Sequence, residues 1–449
     1  MNSFDASLRS VSMGAAESAK KAALLAKLLE TLKELRRGNT ESASEFFVPG
    51  RIEFLGKHTD YAGGRSITCA IERGICLAAA PRADSQMHIV DVGRQSEVRF
   101  MLNGDQPFSR DDWPKYAVTV ARRLVRDFPS AHTGADIAFA SDLPRASGMS
   151  SSSALIIAVF FAIADANSVW KNDAYRQCIR SREDLAGYLS AVESGADFGS
   201  FASGCGVGTF GGSEDHVAIL CSRTGFLRHY SYCPIRLERE VALPENYTFV
   251  IGVSGVKADK TGNARESYNH ISIATRTILD AWRRATGRED FTLASALASS
   301  PDAAERLQNV IRGAADFNTS SQFLLNRLAQ FAEESNEIVP AAADALSSGD
   351  IGTLGLLVGR SQSMAESQLG NQTSETIELA RSARALGAAA ASSFGAGFGG
   401  SVWALVHSSR AEEFREAWAA SYHQAFPERA PSSEFLITGA GPGVVQFQD

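Results

Sequence analysis

Apolar residues recur at helical spacing near the start of the chain, in residues 16–38. The leucines that form this stripe are Leu25, Leu28, Leu29, Leu32 and Leu35. Spacings of three and four residues place side chains on one face of an α-helix. Two arginines and Gly38 end the pattern, and cations and glycine favour a helix C-terminus. The sequence therefore predicts a helix that packs on the rest of the protein.

Short apolar runs bounded by glycine and proline predict strands further along. Residues 45–56 indicate two short strands interrupted at Pro49-Gly50, and residues 65–80 continue the sheet. A strand at 135–144 leads through a loop of small residues into a very apolar helix. The later half is predicted to be mostly helical, with one clear strand at 401–408. Helical patterns cover 113–128 and 375–391, and β-rich stretches cover 226–238 and 247–255.

A chain of 449 residues exceeds the usual size of one hydrophobic core, so we expect two domains. We place the boundary near residues 235–247. The predicted division is a helical extension at 1–44, a first domain at 45–240 and a second domain at 241–449.

Charge and cysteine content narrow the class of protein. The formal net charge is −7 and no long basic run occurs, which argues against nucleic acid or a membrane as the main partner. The six cysteines form no CxxC pair and are expected to be buried, reduced thiols. No apolar run is long enough to cross a bilayer and no signal-peptide core is present, so we expect a cytoplasmic protein.

A serine-rich loop, Gly148-Met-Ser-Ser-Ser-Ser-Ala154, lies between a predicted strand and the apolar helix. A helix N-terminus has unpaired N–H groups and a partial positive charge, so it suits an anion such as phosphate. Small residues would let the phosphate approach the backbone. An ordinary serine-rich helix cap would show the same pattern.

A glycine loop, Ser393 to Ser401, contains the spacing GxGxxG. The dinucleotide-binding form of this pattern requires a strand before the glycines and a helix after them. Here a predicted helix comes first and a strand follows, so we reject NAD binding. The loop either approaches a ligand closely or is a flexible connection. Walker A and protein-kinase motifs are absent.

A third motif, Gly211-Gly-Ser-Glu-Asp-His216, places two acids and a histidine after glycines. A carboxylate held at a structured turn can accept a hydroxyl proton. An aspartate that merely caps a helix would also fit this position.

In order along the chain, these motifs resemble the GHMP kinase superfamily, most closely its galactokinase branch. Pro49–Gly64 is similar to the family motif PGRxNLxGEHTDYxxG, and Leu143–Ala154 to LPxGxGLSSSA. Gly395–Gly400 matches TGAGFGG, with Phe394 where threonine is usual. The resemblance implies a two-domain α+β GHMP kinase fold. Its N-terminal domain would be like ribosomal protein S5 domain 2, its C-terminal domain ferredoxin-like, and its active site in the interdomain cleft.

The resemblance also implies the chemistry, which is ATP-dependent phosphorylation of a monosaccharide at its anomeric hydroxyl. Asp215 matches the family's catalytic aspartate if an extra segment is allowed after Glu193, and Arg51 would lie beside it. Mg²⁺ would bind to Ser152 and Glu193. The residues expected to bind ATP are Gly148, Ser150, Ser151, Ser152, Gly395 and Gly397. The residues expected to bind the sugar are Lys57, His58, Asp60 and Tyr268.

Lys57 departs from the family, which has glutamate at that position. Lysine has three donors and no acceptor and favours an anion. The substrate is therefore a uronic acid or another modified sugar, or galactose bound through altered contacts, or Lys57 only pairs with Glu53. A non-catalytic sensor of sugar and ATP, or a kinase of a non-sugar alcohol, would be compatible with the same fold. A sugar and ATP are the expected partners of a monomer or weak homodimer.

Overall fold

The computed structural model describes residues 3–38, 42–102, 104, 113–258, 262–314, 317 and 319–447. Its helices are α1 Ser3–Ser10, α2 Ala15–Leu35, α3 Pro114–Asp127, α4 Ser151–Ala166, α5 Asp173–Cys178, α6 Arg182–Ser194, α7 Glu214–Cys221, α8 Gly262–Thr286, α9 Leu293–Leu297, α10 Ala303–Gly313, α11 Ser321–Glu333, α12 Val339–Ser348, α13 Ile351–Met364, α14 Ser374–Ala385 and α15 Ala411–Ala425. Its strands are β1 Ser44–Leu55, β2 Arg65–Pro81, β3 Gln86–Asp91, β4 Ser96–Met101, β5 Ala135–Ser141, β6 Phe226–Ser231, β7 Arg236–Ala242, β8 Tyr247–Val253, β9 Ala390–Phe394, β10 Ser401–His407, β11 Glu434–Thr438 and β12 Val445–Phe447.

The larger sheet has the order β12-β1-β2-β5-β3-β4, with β6 paired to β2 and β7 to β6. β1 is one strand, not the two that the sequence predicts at Pro49-Gly50. Its pairing with β2 continues through a register shift between Pro49 and Arg51. Proline has no N–H to contribute to a ladder, and a bulge accommodates it without ending the strand.

Both faces of the larger sheet are covered. Helices α3, α4, α6 and α7 bury one face in the largest apolar cluster of the molecule. The predicted N-terminal helix is α2, which packs on β2 and β5 across the other face. Leu25, Leu28 and Leu32 from its leucine stripe are fully buried there. The leucine spacing therefore located the helix and its buried face.

The smaller sheet is antiparallel, with the order β11-β8-β10-β9. α12 and α13 contribute to the apolar cluster on one face, and α14 and α15 to that on the other. The helix predicted at 375–391 ends earlier, at Ala385, and β9 begins at Ala390. Gly387, with a φ of 95°, lies between them. Every residue of β9 is buried, so pairing and packing overrode the helix propensity of its alanines.

The two sheets meet through β1. Phe54 stacks on Trp403 of β10, with ring centroids 4.4 Å apart, and both residues belong to one apolar cluster. β12 returns from the end of the chain to pair with β1. This α+β arrangement of two packed sheets positions β1 at the cleft between them. The proposed division at residue 240 falls inside β7, and it stays a prediction.

Within the described residues, no helix combines the length and the apolar character needed to cross a membrane.

Candidate active site

A cavity opens where β1 reaches the cleft. Residues two apart on a strand point to the same face, so Arg51 and Glu53 both face this cavity. The space between its walls, including open solvent, is about 550 Å³. Its charged and aromatic lining residues are Arg51, Glu53, His58, Asp60, Tyr61, Glu193, Glu214, Asp215, His216 and Tyr268. We call it the acidic cavity, because five carboxylates face one guanidinium.

Arg51 and Asp215 form an ion pair in the wall of the acidic cavity. Arg51 Nε lies 2.8 Å from Asp215 Oδ1, and Arg51 Nη2 lies 2.7 Å from the same oxygen. Burial by itself would lower the pKa of the Arg51 guanidinium, but the carboxylates of Asp215, Glu53 and Glu214 outweigh burial and raise it. Asp215 belongs to the first turn of α7, and its side chain keeps 18% exposure. The predicted catalytic pair is therefore brought together, with the aspartate open to the cavity.

The turn after β1 supplies two more residues of the predicted sugar site. His58 adopts a φ of 58°, an uncommon conformation for a residue other than glycine. Its Nδ1 lies 3.0 Å from Tyr61 Oη, and its Nε2 lies 3.1 Å from the carbonyl oxygen of Ala396. Asp60 Oδ2 accepts a hydrogen bond of 3.0 Å from the Glu214 N–H. Strained backbone of this kind is often held at ligand sites.

Tyr268 reaches the same cavity from α8. Its ring centroid lies 5.3 Å from that of His58, and burial raises the pKa of its hydroxyl well above the usual value. The hydroxyl is therefore protonated at neutral pH and can donate a hydrogen bond. His58, Asp60 and Tyr268, which are contributed by distant parts of the sequence, thus line one cavity.

Lys57 is placed differently from the other residues of the predicted sugar site. Its side chain is 1% exposed and it does not line the acidic cavity. Its Nζ donates to Ser392 Oγ at 2.6 Å and to Ser361 Oγ at 3.4 Å. This burial behind the wall does not support the predicted direct contact between Lys57 and a substrate.

Two glutamates of the acidic cavity have unusual environments. The Oε1 atoms of Glu53 and Glu214 are buried and have no hydrogen-bond partner among the described residues. Burial raises the pKa of Glu53 to about 7, although Lys57 and Arg51 oppose the shift. Burial and the neighbouring carboxylates raise the pKa of Glu214 well above its usual range. Unmet acceptors of this kind favour a ligand that brings hydrogen-bond donors.

A second cavity lies on the other side of Arg51, and we call it the basic cavity. The space between its walls, including open solvent, is about 1410 Å³. Four cationic side chains and one carboxylate line it: Arg51, Arg94, Lys115, Arg145 and Asp91. Trp113, Tyr116 and Phe139 add an aromatic wall. Its size, positive charge and aromatic surface suit a nucleotide.

The serine loop forms the floor of the basic cavity. Gly148, Ser150, Ser151 and Ser152 all line it, as predicted for an ATP site. α4 begins at Ser151, so the unpaired N–H groups of its first turn are at the cavity. Ser150 makes no side-chain cap bond, and its buried hydroxyl has no partner among the described residues. The loop can therefore offer both backbone and hydroxyl donors to an anion.

The glycine loop joins β9 to β10 as a hairpin, a context different from that of dinucleotide binding. Gly395 has a φ of 79°, and a Cβ added there would lie 2.8 Å from the Gly148 carbonyl oxygen. A side chain at Gly395 would therefore separate this loop from the serine loop. Gly395 lines the acidic cavity, whereas Gly397 lines neither cavity and approaches Asn371. Their placement does not support direct contacts of these two glycines with ATP.

Glu193 and Ser152 are the residues predicted to hold Mg²⁺. Glu193 lines the acidic cavity and Ser152 the basic one, and the serine bonded to Glu193 is Ser153, at 2.8 Å. Glu193 Oε1 is buried with no hydrogen-bond partner among the described residues. Mg²⁺ in such enzymes takes one or two carboxylates and completes its shell with water and phosphates. The Oε1 atom of Glu193 and the hydroxyl of Ser152 are oxygen ligands of the kind that this donor set requires.

Sequence reasoning missed part of both cavities. Glu53 and Glu214 lie within the motifs, but their residue types alone do not place them in the cavity wall. Arg94, Lys115 and Arg145 carry no assignment from the sequence. Arg145 precedes the serine loop and Lys115 follows Trp113, so proximity to motifs was the available signal. Nothing in the sequence marks Arg94.

Comparisons with known proteins indicate the family of the chain. Three family models match: a galactokinase galactose-binding signature at residues 38–81, a GHMP kinase N-terminal domain at 115–206 and a GHMP kinase C-terminal domain at 342–424. A galactokinase from Chloroflexus aggregans is 28% identical over 84% of this chain and 87% of its own length. A galactokinase from Roseiflexus sp. is 27% identical over 90% of this chain and 92% of its own length.

Solved structures show the same fold. A Lactococcus lactis galactokinase complexed with galactose has a TM-score of 0.77 and 22% identity, covering 94% of this chain and 99% of that one. A Methanococcus jannaschii mevalonate kinase has a TM-score of 0.51 and 12% identity, covering 90% and 99%. The chain belongs to the GHMP kinase superfamily. Within it, the protein is a galactokinase-like member and therefore a sugar kinase. The predicted family and two-domain α+β fold are confirmed.

Proposed function

We propose that the protein transfers the γ-phosphoryl group of ATP to the anomeric hydroxyl of a monosaccharide. One observation carries this proposal: the Asp215–Arg51 ion pair faces the acidic cavity, and Arg51 also lines the basic cavity. A group bound beside Asp215 in one cavity would thus lie close to the contents of the other. Such juxtaposition of acceptor and donor is a large part of catalysis in phosphoryl transfer.

The sugar would bind in the acidic cavity. His58, Asp60 and Tyr268 surround this space and provide donors and acceptors for hydroxyl groups. Asp215 would accept a hydrogen bond or a proton from the attacking hydroxyl. Arg51 fixes the orientation of that carboxylate, and its positive charge would stabilise the phosphoryl group during transfer.

ATP would bind in the basic cavity, with its phosphates at the first turn of α4 and the hydroxyls of Ser150 and Ser152. The cationic wall of Arg94, Lys115 and Arg145 offsets phosphate charge. Glu193 and Ser152 would hold Mg²⁺, which supplies charge neutralisation to the phosphates when bound.

A coupled ADP-release assay with a panel of hexoses tests the proposal. We expect ADP release to depend on both ATP and a galactose-like sugar. Phosphorus–proton coupling in the NMR spectrum of the product should place phosphate on the anomeric oxygen. Phosphate on another hydroxyl would refute the anomeric assignment. Binding of sugar and ATP without ADP release would instead favour a non-catalytic sensor.

A further inference from the structure

We propose that Glu53 determines sugar specificity by accepting a hydrogen bond from a donor group of the substrate, and that Lys57 positions it from behind the cavity wall. The donor is a hydroxyl or an ammonium group, so the cavity selects neutral or amino sugars over uronic acids. This inference rests on the proposed function, because it assigns the substrate of the same site.

Glu53 is a buried residue of β1 in the wall of the acidic cavity. It pairs with Thr68 of β2, and the β1–β2 register shifts between Glu53 and Leu55. Bulges of this kind re-aim side chains beside ligand sites. On the backbone side, Trp403 Nε1 donates to the Glu53 carbonyl oxygen at 3.2 Å. The residue is 5% exposed and lines the cavity, and its buried Oε1 is unpaired among the described residues.

Lys57 is fixed so that its charge supports Glu53 without reaching the cavity. Besides its two serine contacts, its N–H and that of Gly56 approach Glu334 Oε1 at 3.3 and 2.8 Å. Ser361 donates to that same oxygen at 2.9 Å. Two serine hydroxyls and the Glu334 carboxylate therefore hold Lys57 in place.

Charges of both signs act on Glu53. Lys57 and Arg51 favour its ionised form, while Asp215 and Glu334 oppose ionisation. Glu214 and Tyr61 are close enough that Glu53 in turn raises the pKa of each of them. Lys57 is linked to Glu53 by contacts: its Nζ donates to Ser392 Oγ, Ser392 pairs with Trp403 across β9 and β10, and Trp403 Nε1 donates to the Glu53 carbonyl oxygen. Lys57 is also the largest favourable charge on Glu53, so we assign it as a positioning residue.

The substrate class follows from the charges that face the cavity. A uronic acid would bring a further carboxylate among Glu53, Glu214 and Asp215, and the Lys57 ammonium is not accessible to neutralise it. A hydroxyl or ammonium group would instead satisfy the unmet oxygen of Glu53. An unpaired buried acceptor is costly, so meeting it on binding stabilises the complex.

The test is isothermal titration of the wild-type chain and Glu53→Gln with galactose, with galacturonate, and with the single-position deoxy and amino-deoxy analogues of galactose. We expect galacturonate to bind the wild type at least about 10-fold more weakly than galactose. Glu53→Gln should weaken galactose binding by about 10-fold or more, the usual effect of losing a hydrogen bond to a charged group. For one of the deoxy analogues, Glu53→Gln should cause no loss of affinity, because that analogue already lacks the hydroxyl that Glu53 bonds. The analogue with an amino group at that position should show the largest loss of affinity on Glu53→Gln.

A buried glutamate that lines neither cavity gives a matched control: Glu375→Gln should leave sugar affinities unchanged. Lys57→Met should move the pH dependence of galactose binding upward, since Glu53 then ionises less readily, and thermal melting checks that the variant is folded. Equal losses across all deoxy sugars, no loss at all, or preferred binding of galacturonate would overturn the inference. If none of these sugars binds the wild type, the proposed function fails as well, so the two failures are distinguishable.

Discussion

The acidic and basic cavities share one wall and have opposite electrostatic character. Both are lined by Arg51 and Ala396, but one adds five carboxylates and the other three further cations. The acidic cavity is the smaller, and its unmet groups are acceptors. The basic cavity is larger and offers helix N–H groups and a free serine hydroxyl. Each wall therefore complements a different ligand, one rich in hydroxyl donors and one rich in phosphate oxygens.

One arginine contacts the walls of both cavities. Arg51 donates to Asp215 in the acidic cavity and, through Nη1, to the Gly148 carbonyl oxygen in the serine loop. It thus ties the Asp215 carboxylate of the acidic cavity to the serine loop of the basic cavity. If the two cavities act as one reaction site, changes to each should affect separate ligands, and changes at Arg51 should affect both.

The largest expected effect is at the acidic side of the shared wall. Asp215→Asn keeps the shape but removes the carboxylate that would orient or deprotonate the acceptor hydroxyl. We expect kcat to fall by about 10³-fold, within the range for general-base catalysis, while ATP binding stays within about twofold. Steady-state ADP release and nucleotide titration measure the two quantities. Retained kcat would place the catalytic group elsewhere.

Arg51→Met should affect both cavities and the fold. The substitution leaves Asp215, Glu53 and Glu214 without their shared cation, and breaking a buried ion pair costs about 3 kcal/mol or more. We expect lower stability in urea and weaker binding of both sugar and ATP. The double variant Arg51→Met, Asp215→Asn should recover part of the stability. Additive losses in that double variant would contradict the coupling.

On the basic side alone, Arg145→Ala should raise KM for ATP by about 3- to 10-fold, with KM for the sugar unchanged. Arg145 is exposed, so its contribution is screened by salt and is modest. The wild type should accordingly lose more ATP affinity than the variant as ionic strength rises. Arg223→Ala is a suitable control, because Arg223 is 62% exposed and lines neither cavity. A shift in sugar KM would mean that the cavities are not separate.

The smallest effect concerns pH. Burial raises the pKa of Glu53 from an ordinary value of 4.5 to about 7, so between these pH values the folded chain binds this proton more tightly than the unfolded chain. That contribution to stability is complete below about pH 4.5 and is lost as pH rises to about 7. Relative to the wild type, Glu53→Gln should gain free energy of unfolding across this interval. Urea unfolding at several pH values measures it, with exposed Glu245→Gln as the control. An identical pH profile for all three proteins would show that Glu53 titrates normally.

Local sequence patterns predicted the helices and strands whose conformation depends on neighbouring residues. The leucine stripe located α2, and the serine loop before an apolar run located the start of α4. The pattern failed at β9, where alanines favour helix but tertiary pairing imposes a strand. It also failed at β1, because a bulge absorbs Pro49-Gly50 and only pairing with β2 reveals one continuous strand.

Some residues of the candidate site could be predicted from motifs, and others could be placed only by the structure. Motifs alone located Arg51, Asp215, His58, Asp60 and the serine loop, since each motif carries its chemistry in consecutive residues. Motifs could not show that Lys57 is buried behind the wall or that Glu53 faces the cavity. Adjacent positions in a turn do not reveal which side chain meets solvent, because neighbours such as Ser361, Ser392 and Glu334 come from distant parts of the chain.

The family, the order of the motifs and the residue types available for chemistry could all be read from the sequence. Which charges face which cavity depends on how the chain packs. The physical reason is that burial and long-range packing, not residue identity, set whether a charged group is a contact, a support or a counter-charge. Lys57 and Glu53, four residues apart, show this: one is buried behind the wall and the other faces the cavity.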